Sequence, residues 1–404
     1  MPSFLRTRLS IHMFLTYATW GAWAPVLAKH LQNIGFTPVQ IGALYGTGAL
    51  ATMVSPLVAG EIADRWFPTE RFLAVSYLVT GGLFLAAPWV VEFHALWTLA
   101  FVAMLFYMPT LALGNSMSFH HLSDPRKDFP VVRVWGTIGW IAGGWILSAW
   151  MNVAIARNLP GQGLRVCLAL AGAISVLNAL YSLTLPHTPP KHDAASKPAI
   201  GKTLAMLRDP SFAVLSAGAF LLMVFATSYF TRAPSFFPTV GIRDQDLALV
   251  MSVGQIAEIL TVLILPAVYL GLGARRTLLL GLAAWTLRFG LYAVGHPKWL
   301  VIGAQALHGA CFAFVLAAAS IYVERICAPD IRASVQNLLS FFYYGVEMFA
   351  GSWVSGAVSE HFTAGGVPDW RMIWAVPAAG CAGVFLLFLV GFHAKDVGTE
   401  TEKR

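Results

Sequence analysis

Twelve runs of 18 to 24 mostly apolar residues, separated by short polar breaks, fill this chain of 404 residues. They cover 9–31, 39–58, 72–90, 95–117, 131–153, 166–185, 212–230, 247–270, 277–294, 300–322, 335–358 and 372–392. A helix needs roughly 20 apolar residues to cross the hydrocarbon layer, so each run is long enough for one crossing. Barrel strands are about 10 residues long and alternate in polarity, which these runs do not. Backbone groups in lipid must be satisfied within the segment, so the runs are helices. Composition agrees: the chain is 57% hydrophobic and 11% charged, against about 45–50% and about 25% in soluble domains. A soluble enzyme, a disordered chain and a fibrous rod are excluded. The expected fold is an all-α membrane protein with twelve transmembrane helices.

Twelve crossings place both termini on one side of the membrane. The termini and even-numbered loops carry seventeen of the 26 Lys and Arg residues, and the odd-numbered loops carry six. Basic residues concentrate on cytoplasmic loops, so both termini are expected in the cytoplasm. The formal charge of +7 has the same origin, and no nucleic-acid partner is expected. Pro25 follows Ala22-x-Ala24 where a signal peptide would be cut, so the first run reads as a retained span. Cys167, Cys311, Cys327 and Cys381 are scattered without a C-x-x-C pair and read as small core residues. The longest polar break, with Pro189, Pro190, Lys191 and Lys197, reads as a linker between two six-helix bundles. The expected organisation is 1–186, a linker over 187–209, a second bundle over 210–393 and a cytoplasmic tail over 394–404.

The stretch after the second run reads Gly60-x-x-x-Asp64-Arg65, followed by Arg71. Gly60 permits close helix approach, and Asp64 at a helix end can pair with a cation or a neighbouring helix N-terminus. This pattern resembles the signature loop of the major facilitator superfamily. Gly271 to Arg276 looks like a copy that lacks the Asp. Further stretches narrow the likeness: Tyr107-Met108-Pro109 leading to Asn115, Arg133-x-Trp135-Gly136-Thr137-Ile138-Gly139, Gln255-x-x-Glu258 and Trp285-x-x-Arg288. Over essentially the whole chain the sequence is similar to the bacterial nucleoside:proton symporters of that superfamily. The resemblance implies two pseudo-symmetric six-helix bundles and alternating access, with gating roles for Gly60, Asp64, Arg65 and Arg71.

Glu258 and Glu347 are the two acids placed deep inside runs. An ionised carboxyl at that depth is costly, so each is a functional candidate for carrying a proton. Gln255 and Glu258 are three residues apart on one helix face, where amide and carboxyl suit a nucleobase edge or ribose hydroxyls. Arg133, Thr137 and Trp140 recur at i, i+4 and i+7 and can bond and stack a flat polar ligand. The resemblance assigns substrate contacts to these five residues. It also carries over two positions where this sequence departs from the family: Thr227 and Phe230 stand where relatives have Gln and Asn. In the tenth run His308 replaces a Tyr, Phe312 keeps the aromatic, and Ala313 stands where relatives have a proton-coupling Asp. His308 is therefore a further substrate and proton candidate, whereas Arg288 reads as structural or outward-leaning, with a role in coupling as the alternative.

The expected function is proton-linked import of nucleosides by a multi-pass protein of the bacterial inner membrane. Loss of Gln and Asn at 227 and 230 keeps open another polar solute, such as a sugar or modified nucleoside. Loss of the Asp at 313 keeps open facilitated transport. A receptor or membrane-embedded enzyme is the more remote reading, since no catalytic constellation is present. The partners expected are nucleoside or a similar polar small molecule, protons and lipid, with no metal, no cofactor and a monomeric carrier.

Overall fold

The computed structural model describes residues 3–65, 67–159, 163–189, 205–327, 335 and 345–394; for 55–65 and 125–126 it describes the backbone alone. Helices α1 (Ser3–Trp23), α2 (Leu27–Asn33), α3 (Pro38–Arg65), α4 (Thr69–Ala86), α5 (Phe93–His121), α6 (Pro125–Ala156) and α7 (Val166–Ser182) come first. They are followed by α8 (Pro210–Phe236), α9 (Leu247–Val294), α10 (Lys298–Ala304), α11 (Leu307–Phe312), α12 (Ala318–Ile326), α13 (Glu347–His361) and α14 (Trp370–Gly391). Ala313–Ala317 between α11 and α12 winds as a π-helical turn. A two-residue antiparallel pair, Thr363–Ala364 with Val367–Pro368, turns through Gly365 and Gly366 at positive φ. The chain forms two compact units, one of Met1–Ala194 with Phe230–Ser252, the other of Ala195–Tyr229 with Val253–Arg404.

Several helix starts are written in the local sequence. Thr37 and Gln40 form a reciprocal capping box ahead of α3, each side chain accepting from the other's backbone N–H, with Pro38 at the first helical position. Glu92 accepts from the N–H groups of His94 and Ala95 to start α5. These bonds hold its carboxyl below the usual carboxylate range. The stabilisation is therefore present at neutral pH and is lost as pH falls through the lowered value. Asp124, Asp209 and Asp369 accept from the N–H groups of Lys127, Phe212 and Met372 to start α6, α8 and α14. Acidic residues thus sit at helix N-termini, where the macrodipole and unpaired N–H groups favour negative charge.

Among the described residues, seven helical segments are long and apolar enough to cross a membrane. The difference from twelve runs has local causes. α1 carries Arg6, Arg8 and His12 in its first half, the side chains of α3 lie outside the described residues from 55 onward, and α7 is short at 17 residues. Most of the run over 335–358 lies outside the described residues. α9 has 48 residues and would extend about 72 Å at about 1.5 Å per residue, more than twice the hydrocarbon thickness. Gly273, at φ 75° and ψ 169°, breaks it between the runs 247–270 and 277–294. The 271–276 stretch, expected as a loop, is helical apart from this one residue, because glycine alone enters that backbone region without strain. The linker expected over 187–209 is described only at its ends. His187 and Thr188 bind Glu70 through its two carboxylate oxygens, and Met206–Arg208 forms a short 3-10 turn.

Small residues let the helices approach closely. In the first unit, a Cβ at Gly139 would overlap the Phe14 carbonyl, and one at Gly143 would overlap the Ala18 carbonyl, so α6 lies directly on the backbone of α1. Lipid gives helices no hydrophobic drive to associate, so close van der Waals contact and interhelical hydrogen bonds take that role. The bonds are present: Asn178 Nδ2 donates to Thr16 Oγ1 (3.2 Å), Thr16 Oγ1 meets Tyr77 Oη (2.7 Å), and Tyr107 Oη donates to the Thr16 carbonyl (2.7 Å). Gly139→Leu is expected to lower stability by about 1–3 kcal/mol, the usual cost of overpacking. Thermal melting of the detergent-solubilised protein measures it; an unchanged melting temperature would contradict the packing. All four cysteines are buried, as expected of small core residues.

Candidate substrate and proton site

The second unit brings Gln255, Glu258 and His308 together. α9 carries the first two one turn apart, and α11 packs against them because Gly254 and Gly309 leave no side chain in the way: a Cβ at Gly254 would press on His308, and one at Gly309 on the Ala257 carbonyl. His308 Nε2 lies 3.1 Å from Gln255 Nε2 and 3.6 Å from Glu258 Oε2. Phe312 follows one turn later, its ring centroid 4.4 Å from the imidazole. It is held from behind by Trp285 at 5.2 Å. The next residue, Ala313, opens the π-helical turn, a local irregularity that occurs often at functional sites. An amide, a carboxyl, an imidazole and an aromatic face thus line one small region. Together they offer donors, acceptors and a stacking surface.

Arg288 does not lean outward, which was one of the readings its sequence position left open. It is fully buried in the same cluster. Its Nε donates to Tyr292 Oη (3.1 Å), Nη2 to Gln305 Oε1 (2.8 Å) and Nη1 to His308 Nδ1 (2.9 Å). The Tyr229 ring lies 3.9 Å from its Cζ, and Tyr229 Oη donates to the same Gln305 Oε1 (3.0 Å). The guanidinium turns inward because acceptors and an aromatic face await it there. Trp285-x-x-Arg288-x-x-x-Tyr292 puts two aromatics on the Arg face, a signal visible in sequence. Gln305 and Tyr229 were not legible, since nothing local marks them.

The two deep acids differ. Glu258 keeps 34% of its side chain exposed, while Glu347 is sealed at the start of α13. Thr227 Oγ1 donates to Glu347 Oε1 at 2.8 Å, and Gly351 lets α13 close onto α8 there. The hydroxyl expected to meet substrate is thus engaged by an acid 120 residues away in sequence. His308 faces Glu258, the more exposed of the two acids. Phe230 belongs to the first unit.

That unit holds the other expected set. Arg133 stacks over Tyr17, Cζ 4.3 Å from the ring centroid, in space kept open by Gly136. Thr137 and Trp140 follow on unbroken α6, both half-buried. Arg71 is exposed in the first turn of α4. Gly60, Asp64 and Arg65 lie in the helical end of α3, and their side chains are outside the described residues. Among the described residues no cluster of His, Cys, Asp or Glu could hold a metal ion.

Helices long and apolar enough to cross a membrane, with buried polar groups among them, define a helical membrane protein, and its family makes it a transporter, not an enzyme. The family description "Nucleoside H+ symporter" matches residues 4–397, and the chain belongs to that family. It is 31% identical to the xanthosine permease of Escherichia coli (strain K12), over 95% of each chain. It is 28% identical to the nucleoside permease NupG of the same organism, over 98% of this chain and 99% of that one. The crystal structure of NupG superposes with a TM-score of 0.86 at 27% identity, covering 98% of this chain and all of that one. A D-xylose-proton symporter shares the fold at a TM-score of 0.73 and 11% identity.

Proposed function

We propose that the protein imports nucleosides together with protons across the bacterial inner membrane by alternating access. In this reading the chain has twelve spans in two six-helix bundles, both termini lie in the cytoplasm, and the carrier works as a monomer. Gln255, Glu258, His308 and Phe312 hold the substrate in the second unit. The amide and carboxyl bind a base edge or ribose hydroxyls, and Phe312 stacks on the ring. Arg133, Thr137 and Trp140 are the ligand groups of the first unit. Glu258 carries the coupled proton in place of the Asp that relatives have at 313, with Glu347 as a sealed structural acid. Gly60, Asp64, Arg65 and Arg71 act in gating.

The convergence of Gln255, Glu258 and His308 on one spot carries this reading, in a chain whose relatives include a xanthosine permease and a nucleoside permease. The partial exposure of Glu258 supports it as well, since a coupling carboxyl must reach water on its way through the cycle. A second reading, in which the solute is a modified nucleoside or another polar molecule, rests on Thr227, which Glu347 occupies. Proteoliposome uptake of labelled xanthosine, adenosine, uridine and xylose under an inward proton gradient separates the two. Accumulation of a nucleoside but not xylose is expected; accumulation of xylose alone would overturn the proposal. Gln255→Ala and Arg133→Ala are each expected to weaken nucleoside binding by about 1–3 kcal/mol, the scale of a lost hydrogen bond to a polar or charged partner. Isothermal titration of folded variants measures this, and wild-type affinity in both would show the site to lie elsewhere.

A further inference from the structure

The bonding of His308 is more constrained than a histidine in a polar cluster usually is. A guanidinium has only donors, so the 2.9 Å contact between Arg288 Nη1 and His308 Nδ1 requires Nδ1 to accept. An imidazole that accepts at Nδ1 is neutral and carries its proton on Nε2. That Nε2–H points at Gln255 and Glu258. Against the ring, Gln255 therefore presents its carbonyl oxygen, since two donors cannot bond each other. Among the described residues, the other charged or titratable groups facing His308 are Arg288 and Glu258 from α9 and Tyr229 from α8.

The charge arithmetic follows from the same bonds. The three hydrogen-bond partners of Arg288 named above are all neutral, and the carboxyl that comes next along the chain of bonds is Glu258, beyond His308. With Glu258 ionised the group Arg288–His308–Glu258 is electrically balanced; with Glu258 protonated it carries a net positive charge. His308 cannot pass a proton along this line, because the atom on its far side is a donor.

We infer that Arg288 is a positioning residue for proton coupling: it fixes His308 as a permanent Nε2–H donor to Glu258, so that His308 aims the carboxyl and does not itself carry the proton. This rests on the reading of Glu258 as the proton-binding acid. A ligand oxygen that takes the His308 Nε2–H withdraws that donor from Glu258, which then takes up a proton. Substrate and proton are thereby loaded together, as symport requires.

Two measurements test the inference. In protein labelled with 15N-histidine, the His308 signals are identified by their loss in His308→Gln. They are expected to show the Nε2–H tautomer unchanged over about pH 5.5–8, where an ordinary histidine titrates. Titration in that range, or an Nδ1–H tautomer, overturns the inference. The functional readout is the ratio of gradient-driven accumulation to exchange. Arg288→Lys keeps the charge but loses the fork, and the ratio is expected to fall by about 10-fold, the scale of one charge-assisted bond. Adding His308→Gln to that variant is expected to restore the ratio, because an amide N–H donor needs no Arg288 to set a tautomer. A merely structural Arg288 would not be rescued this way, so failure of the double variant to recover, in protein that melts like Arg288→Lys, also overturns the inference. A wild-type carrier that exchanges nucleoside without proton-driven accumulation overturns the proton-linked reading itself, and the inference with it.

Discussion

Glu258→Gln is expected to abolish proton-driven accumulation of nucleoside while exchange of nucleoside across the membrane persists. Gln has the shape and polarity of the neutral acid and still faces His308 Nε2 from the position that Glu258 Oε2 holds at 3.6 Å. It cannot release a proton, so the cycle loses its link to the gradient and keeps part of its binding energy. Each unit of pH gradient supplies about 1.4 kcal/mol per proton, an accumulation of about tenfold for one-to-one coupling. The variant should therefore equilibrate labelled nucleoside without concentrating it, whatever gradient is imposed. Accumulation at the wild-type level would remove Glu258 from the coupling role and leave it as a substrate ligand. Glu347→Gln is the matched control. Glu347 is sealed against Thr227, so its neutral mimic is expected to leave accumulation in place.

Arg288→Met should carry the largest stability cost of any single change considered for this protein, about 3–5 kcal/mol, the range for breaking a buried charged network on one side. Three acceptors lose the guanidinium donor at once, Tyr292 Oη, His308 Nδ1 and Gln305 Oε1, of which the last still accepts from Tyr229 Oη. The Tyr229 ring loses the cation that packs on it. Each buried hydrogen bond lost costs about 1–3 kcal/mol, part of which the remaining contacts of Gln305 and Tyr292 recover. Denaturant unfolding of purified protein gives the number. A loss below about 1 kcal/mol would mean that water or a rotamer change satisfies these groups, because a fully relaxed network costs no more than one ordinary surface change.

Both variants turn on contacts that differ in how plainly the sequence displays them. Gln255 and Glu258 are neighbours on one helix face by their spacing alone, and His308 and Phe312 likewise, so each pair was legible. Their meeting was not, because it depends on Gly254 and Gly309 letting α11 approach α9. Glycines in apolar runs have several uses, and only the packed structure shows which backbone each one admits. The burial of Arg288 was not legible for a related reason. An intramembrane Arg can lean outward or bury, and the choice depends on acceptors such as Gln305, which a linear reading places in no motif. Thr227 and Glu347 are 120 residues apart and have nothing in common until the helices pack. Helix starts were the most local feature, as the Thr37–Gln40 box shows, since a cap is written within four residues. The break at Gly273 was legible as a polar gap between two apolar runs, but not as a single residue in an otherwise continuous helix.

The most direct test of proton-linked nucleoside import is to watch the protons themselves. Purified protein in proteoliposomes, with a pH-sensitive dye inside and the membrane potential clamped at zero, is given nucleoside outside and no starting pH gradient. Nucleoside-dependent acidification of the lumen is the expected result, with a proton entering for each nucleoside and with no signal from Glu258→Gln. Nucleoside entering at full rate while the internal pH stays constant would contradict coupled transport and identify the protein as a facilitator.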